Sequence, residues 1–218
     1  MLPNIDAPLY ARFKVEGYRK KEYAHRPVQS ISEIVQLGYL DVNRTIRGVE
    51  PQQSQMFKAA VISAIGEMLN RPPTNQQEFD MLHRDCCQQC IQAAAIGKAR
   101  IHYGHAQKLL NMSLKYLYNE FAAYRSERNQ FGFPDNNVEQ FFHLPIDSQI
   151  RDFLVLSCHF SNPTSLPWSQ WTYEHYMNFQ NQLRARLSLG YSPLEIDYML
   201  WNTKGPSVNN AISSRRLA

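Results

Sequence analysis

The stretch Gly97-Lys98-Ala99-Arg100-Ile101-His102-Tyr103-Gly104 decides how the chain folds, because a short glycine-bounded turn of this kind joins two helices back to back. Upstream, residues 75–96 form one expected helix that ends at Gly97. Downstream, a second is expected from about Gly104 to Tyr124, with Leu110, Leu114, Leu117 and Phe121 on one face of a 3.6-residue period. Working outward, residues 51–69 open with Pro51 in a first-turn position and repeat Met56, Ala60, Val61, Ala64, Ile65 and Met68. Asn70-Arg71-Pro72-Pro73 then stops that helix, since proline cannot continue the hydrogen-bond ladder. Residues 125–143 form a polar excursion rich in Gly, Pro, Asp and Asn. A further helix is expected from Asp147 to about Phe160, a long aromatic-rich one from Ser165 to Leu189, and a last one from Pro193 to Asn202. Strand alternation is weak throughout and no repeat is evident, so the expected fold class is all-α.

Composition narrows the function classes. The 218 residues are 44% hydrophobic, enough for a real core in one domain or two small lobes. No apolar run reaches the roughly 18 residues of a membrane helix, and charges recurring from Arg12 to Arg26 leave no room for a signal-peptide core, so a cytoplasmic protein is expected. The net charge of +4 permits nucleic-acid binding, and Arg12, Lys14, Arg19, Lys20, Lys21 and Arg26 alternate with Tyr10, Phe13, Tyr18 and Tyr23 in a segment that suits either a phosphate backbone or plain solvent. Cys87 and Cys90 make a lone C-x-x-C that no second pair or nearby His completes into a zinc site, which with Cys86 and Cys158 points to reduced thiols rather than a metal site or disulfide scaffold.

Two constellations bear chemistry. Lys108 and Lys115, seven residues apart, share one helical face opposite the leucines. Such a face is ordinarily solvated, but a lysine near a helix N-terminus is biased toward its neutral, nucleophilic form by the helix dipole and by a second cation. In Leu144-Pro145-Ile146-Asp147, the aspartate opens an apolar helix, where its ordinary role is the N-cap; a capping carboxylate also stays ionised and can stabilise positive charge in front of it.

A helix–turn–helix with a lysine opening its second helix, followed by Pro-Ile-Asp147 opening the next, resembles the helix-hairpin-helix DNA glycosylase superfamily. Within it, the likeness is to the archaeal 8-oxoguanine glycosylase branch, which places a second lysine seven residues after the first, as Lys115 follows Lys108. That branch also extends the chain before the aspartate, here to a spacing of 39 residues. The likeness covers residues 97–160 and, more loosely, 193–202. It implies a two-lobed helical domain over 1–203 with a catalytic cleft between the lobes, and an irregular tail over 204–218. It implies Lys108 as the nucleophile at C1′ of a deoxyribose and Asp147 as the stabiliser of the oxocarbenium ion, with hydrolysis by water as the alternative. It also implies Asp197 and Trp201, one turn apart, as contacts to a flipped base, with Trp168 as a further pocket or wedge residue; core packing is the ordinary role for either tryptophan. The family's Leu-Pro-Gly-Val-Gly-like hairpin is replaced here by Ile101-His102-Tyr103-Gly104-His105-Ala106-Gln107-Lys108. Lys98, Arg100, His102, Gly104, His105 and Lys115 are therefore the expected contacts to the DNA backbone.

The implied partner is double-stranded DNA carrying a modified base, without a metal, a cofactor or an obligate protein partner. Oxidised guanine and bulky cytosines, such as the glucosylated hydroxymethylcytosine of phage DNA, are the substrate classes, which leaves repair and antiviral defence both open. Two other readings compete. Arg100-Ile101-His102-Tyr103-Gly104-His105 also fits the Arg-x4-His pattern of helical HEPN ribonucleases, with Arg100 and His105 as its active pair. A non-catalytic DNA-binding module would need neither pair.

Overall fold

The computed structural model describes residue 28 and residues 30–123, 137–186 and 192–202; among these the chain is all-helical, with no strand. The helices are α1 (Ile31–Val42), α2 (Pro51–Asn70), α3 (Gln76–Ala93), α4 (Tyr103–Ala123), α5 (Ser148–Cys158), α6 (Tyr173–Arg186) and α7 (Pro193–Asn202). Short 3-10 turns lie at Asn43–Thr45, Ala94–Ile96, Val138–Phe141 and Trp168–Gln170. No helix among the described residues is long and apolar enough to cross a membrane. The basic segment 12–26 and the tail 204–218 lie outside the described residues, as do the side chains of Phe121 and Trp201.

Helices α2, α3, α4 and α7 stand where the sequence pattern puts them. Asn75 caps α3 by accepting from the Glu78 amide, and Pro51 occupies the first turn of α2. Two expectations change. The helix expected over Ser165–Leu189 is instead a 3-10 turn followed by α6, because Trp171 adopts an extended backbone (φ −62°, ψ 145°) between them. That break lets the Trp171 carbonyl accept the Gly104 amide at 3.2 Å, while the Trp171 indole donates to the Leu166 carbonyl. Helix α5 stops at Cys158 rather than Phe160, since His159 turns left-handed (φ 55°) and the Phe160 amide closes back onto the Leu154 carbonyl.

Helix α1 is a finding of the structure alone. Ser30 caps it, and Ile34, Val35, Gly38, Tyr39 and Val42 form its buried face. Gly38 weakens the helical signal in sequence, yet it is what brings α1 close to α4: a Cβ there would lie 2.7 Å from the Ser113 hydroxyl. With α1 on one side and α2, α3 and α6 around the rest, α4 becomes the central helix, and every residue from Tyr103 to Leu117 is buried. The solvated lysine face expected opposite the leucines does not exist.

Gly104 fixes how α4 enters this core. A Cβ on it would come within 2.0 Å of the Trp168 carbonyl oxygen, a backbone atom that cannot swing aside. Gly104→Ala is expected to destabilise the protein by about 2–3 kcal/mol or more through overpacking, read as a lowered midpoint in urea unfolding. An unchanged midpoint would mean the turn and the helix are not in contact.

Candidate functional site

Lys108 lies five residues into α4, about 7.5 Å along its axis, and its Nζ donates to Asp147 Oδ2 at 2.9 Å. Their side chains are 4% and 12% exposed, so the contact is a buried ion pair between residues 39 apart in sequence. Asp147 caps α5 with its other oxygen, which accepts from the Ile150 amide at 2.9 Å. Burial alone would raise its pKa, but the Lys108 charge and the Ile150 and Gln149 amides outweigh that and hold it below the usual carboxylate range.

The segment carrying Asp147 is extended, and an isolated extended strand leaves its backbone groups without partners. Two buried glutamines supply them. Gln107 Nε2 donates to the Ile146 carbonyl at 2.9 Å and to the Gly104 carbonyl at 2.9 Å, while its Oε1 accepts from the Ile146 amide and from Asn111. Gln180 treats Leu144 in the same way, donating to its carbonyl at 2.8 Å and accepting from its amide. Gln107 adjoins Lys108, so one side chain fixes the backbone next to Asp147 relative to the helix that carries its partner. Composition gave no hint of this, because amides read as surface residues.

Two turns further along α4, Lys115 forms a second ion pair, with Asp197 of α7; both side chains are wholly buried. Lys115 also stands over the Tyr198 ring at 5.0 Å. Burial pushes the Lys115 pKa down and the Lys108 charge adds to this, against the carboxylates of Asp197 and Asp41. Lys115, expected as a contact to a DNA backbone, is thus enclosed in the core rather than presented at the surface. Among the described residues, Asp197 Oδ1 is buried without a hydrogen-bond partner. Asp41, at the end of α1, completes the cluster: it accepts from the Tyr116 hydroxyl at 2.7 Å, and burial raises its pKa despite the nearby Lys108 and Lys115. The sequence reading missed Asp41 because it missed the helix that delivers it.

Behind the pair runs a chain of buried polar groups whose directions are set by their partners. Tyr103 donates to His83 Nδ1, His83 Nε2 donates to the Asn111 side-chain oxygen at 3.0 Å, and Asn111 donates to the Tyr176 oxygen at 2.8 Å. Tyr176 in turn donates to His143 Nδ1 at 2.8 Å, and His143 Nε2 to Asp80, which Arg184 grips through both terminal nitrogens. Burial drives the His143 pKa down to about 4 and that of His83 well below its usual value, so both rings are neutral. Asp80 is held low by His143 and Arg184 against the effect of burial.

The remaining predicted residues are dispersed. Trp168 is buried edge-on to His105 and serves the core. His105 is buried too: its Nδ1 accepts from the His102 amide at 3.1 Å, and burial takes its pKa down to about 4. Gly104 has its amide on Trp171, so as backbone contacts to DNA both Gly104 and His105 are corrected. Lys98 and Arg100 are exposed and His102 is partly so. Trp201 lies on α7 one turn after Asp197. Cys86, Cys87 and Cys90 are buried free thiols, with Cys86 and Cys90 pushed up to about 12 by burial. No protein family, curated protein or solved structure matches the chain.

Two outcomes follow from this geometry. Asp197→Asn strands a buried ammonium and is expected to cost about 3–5 kcal/mol of stability, measured by urea unfolding; a neutral result would mean that Lys115 reaches solvent. The neutral histidines set an acid limit. Between pH 6.5, where a histidine titrates in the unfolded chain, and pH about 4, where His105 and His143 titrate in the fold, the unfolded state binds more protons. Stability should therefore be flat above neutrality and fall steadily from about pH 6.5 toward pH 4. A curve that stays level down to the carboxylate range would overturn the assignment.

Proposed function

We propose that this chain is a DNA glycosylase that excises a modified base from duplex DNA, with Lys108 and Asp147 acting at C1′ of the target deoxyribose. The supporting observation is the 2.9 Å contact between a helix-borne lysine and the N-capping aspartate of another helix, the juxtaposition that the sequence motifs call for. In this proposal the protein is a two-lobed domain whose helix-hairpin-helix spans α3 and α4, with a cleft leading to the pair.

The C1′–N bond breaks with its electron pair going to the base, and the ionised Asp147 stabilises the positive charge developing on the sugar. Lys108, having surrendered a proton that passes to the departing base, donates its lone pair to C1′. The C1′–O4′ bond then opens with its electron pair on the ring oxygen, which takes one proton from the attached amine, leaving the protonated Schiff base; a C2′ proton passes to water, and the C3′–O bond breaks with its pair on the departing 3′ phosphate. If water attacks in place of lysine, the same carboxylate serves and the strand stays intact. Asp197 Oδ1, buried and without a partner among the described residues, supplies an acceptor for N–H groups on the edge of an extruded base, and Trp201, one turn away, is the stacking candidate. Oxidised guanine and bulky modified cytosine are the proposed substrate classes, in repair or in phage defence. With Lys108 only 4% exposed, the protein must open for a sugar to reach it. The HEPN-type ribonuclease reading draws less support, because His105 is buried, spends Nδ1 on the His102 amide and stays neutral beside an exposed Arg100.

The test is a panel of duplexes, each holding one modified base, incubated with protein and borohydride. A covalent adduct is expected on at least one duplex, abolished in Lys108→Ala, with base release at least about 100-fold slower in Asp147→Asn. Absence of excision from every duplex would sink the proposal, and so would RNA cleavage that is lost in His105→Ala but survives in Lys108→Ala.

A further inference from the structure

A hairpin that grips phosphate does so through backbone amides left open at a helix N-terminus. Around the turn before α4 five of the amides are committed inside the protein. Ala99 donates to Gln53, His102 to His105 Nδ1, Gly104 to the Trp171 carbonyl, and both His105 and Ala106 to the His102 carbonyl. With the amides at the start of α4 engaged at Gly104, His105 and Ala106, side chains are the larger resource for holding a polyanion at this end of the molecule.

A second turn lies beside the first. Residues 43–50 connect α1 to α2 and contain Arg44 and Arg47, both exposed. Gly48 turns the chain there in the left-handed region (φ 69°), with nothing near the position a Cβ would take, so the turn projects into solvent. The two turns are tied together at several points. Gln53, on the first turn of α2, donates to the Ala94 and Ala99 carbonyls at 2.7 and 2.6 Å, Gly97 packs directly on the same glutamine, and Lys98 reaches Glu50 at 3.8 Å. Arg44, Arg47, Lys98 and Arg100 thus belong to one end of the helical stack, where Glu50 is the carboxylate that answers them and Asp41 lies inward near Arg44. The same end holds the N-terminus of α4, with Lys108 little more than one helical turn below it.

We infer that the turns 43–50 and 97–102 form a two-sided cationic grip for the phosphate backbone of duplex DNA, in which Arg44 and Arg47 are binding residues alongside Lys98 and Arg100. The partner is a polyanion of regular charge spacing, met by four exposed cations on two tethered turns. This rests on the DNA-acting proposal above, but its test requires no chemistry and no modified base.

The experiment is fluorescence-anisotropy binding of the full chain to a short unmodified duplex, between about 50 and 200 mM salt. Wild type, Arg44→Gln, Arg47→Gln and the double variant are compared with Arg71→Gln, an exposed arginine at the far end of α2. The expected result is a slope of log Kd against log salt that shrinks by about one for each arginine removed from the turn, with Arg71→Gln matching wild type and melting curves unchanged throughout. No duplex binding by wild type, a double variant with the wild-type slope, an equal loss in Arg71→Gln, or a loss confined to binding of anionic vesicles would each overturn the inference. A shrinking slope from a protein that excises no base would sustain the grip and remove the glycosylase.

Discussion

Two ammonium groups on a helix enclosed on all sides impose the constraint from which the rest of this structure follows. A lysine without a partner in such a place would cost several kcal/mol or lose its charge. Here each lysine of α4 is met by a carboxylate from a different helix: Asp147 at the start of α5 and Asp197 within α7. Since those aspartates lie far along the chain, the ion pairs dictate tertiary positions as well as compensating charge. Asp41 from α1 adds a third carboxylate beside two cations. Burial raises its pKa, while the Tyr116 hydroxyl and the two lysines favour its charged form.

Glutamine side chains do the complementary work on the backbone. The extended segment before α5 has no neighbouring strand among the described residues, yet Leu144 and Ile146 each find an amide that donates to the carbonyl and accepts from the N–H, as a paired strand would. Gln53 fulfils the same function for the turn ahead of α4. An all-helical protein thereby obtains short stretches of sheet-like pairing without a sheet, and does so where the chain must be held still: beside Asp147 and behind the exposed turn.

Much of the helical outline was legible in the sequence because proline, glycine and capping residues punctuate it: Pro51, Asn75 and Asp147 mark starts that the structure keeps. The Lys108–Asp147 contact was legible only as a motif, since neither periodicity nor capping says what a lysine will face. What the sequence hid has a common cause. Gly38 obscured α1 by lowering its local propensity, although a close approach to Ser113 is the reason it is there. The polar residues of α4 marked that face as wet, when α1, α5, α6 and α7 supply partners from distant parts of the chain. Trp171 sat within an apparently continuous helical pattern and left it for a contact with Gly104, which no local signal could announce.

The polar chain from Tyr103 to Asp80 has a further consequence, which concerns how this core can change over generations. Each group's donor or acceptor role is assigned by the one before it, so no inner member can be exchanged without leaving its two neighbours with the wrong polarity. Substitutions there are epistatic by construction: any one alone is harmful, and tolerated alternatives arrive as sets that rewire His83, Asn111, Tyr176 and His143 together. Descendants of this chain would keep that row intact or replace it as a block, even while the exposed turns a short distance away drift one residue at a time.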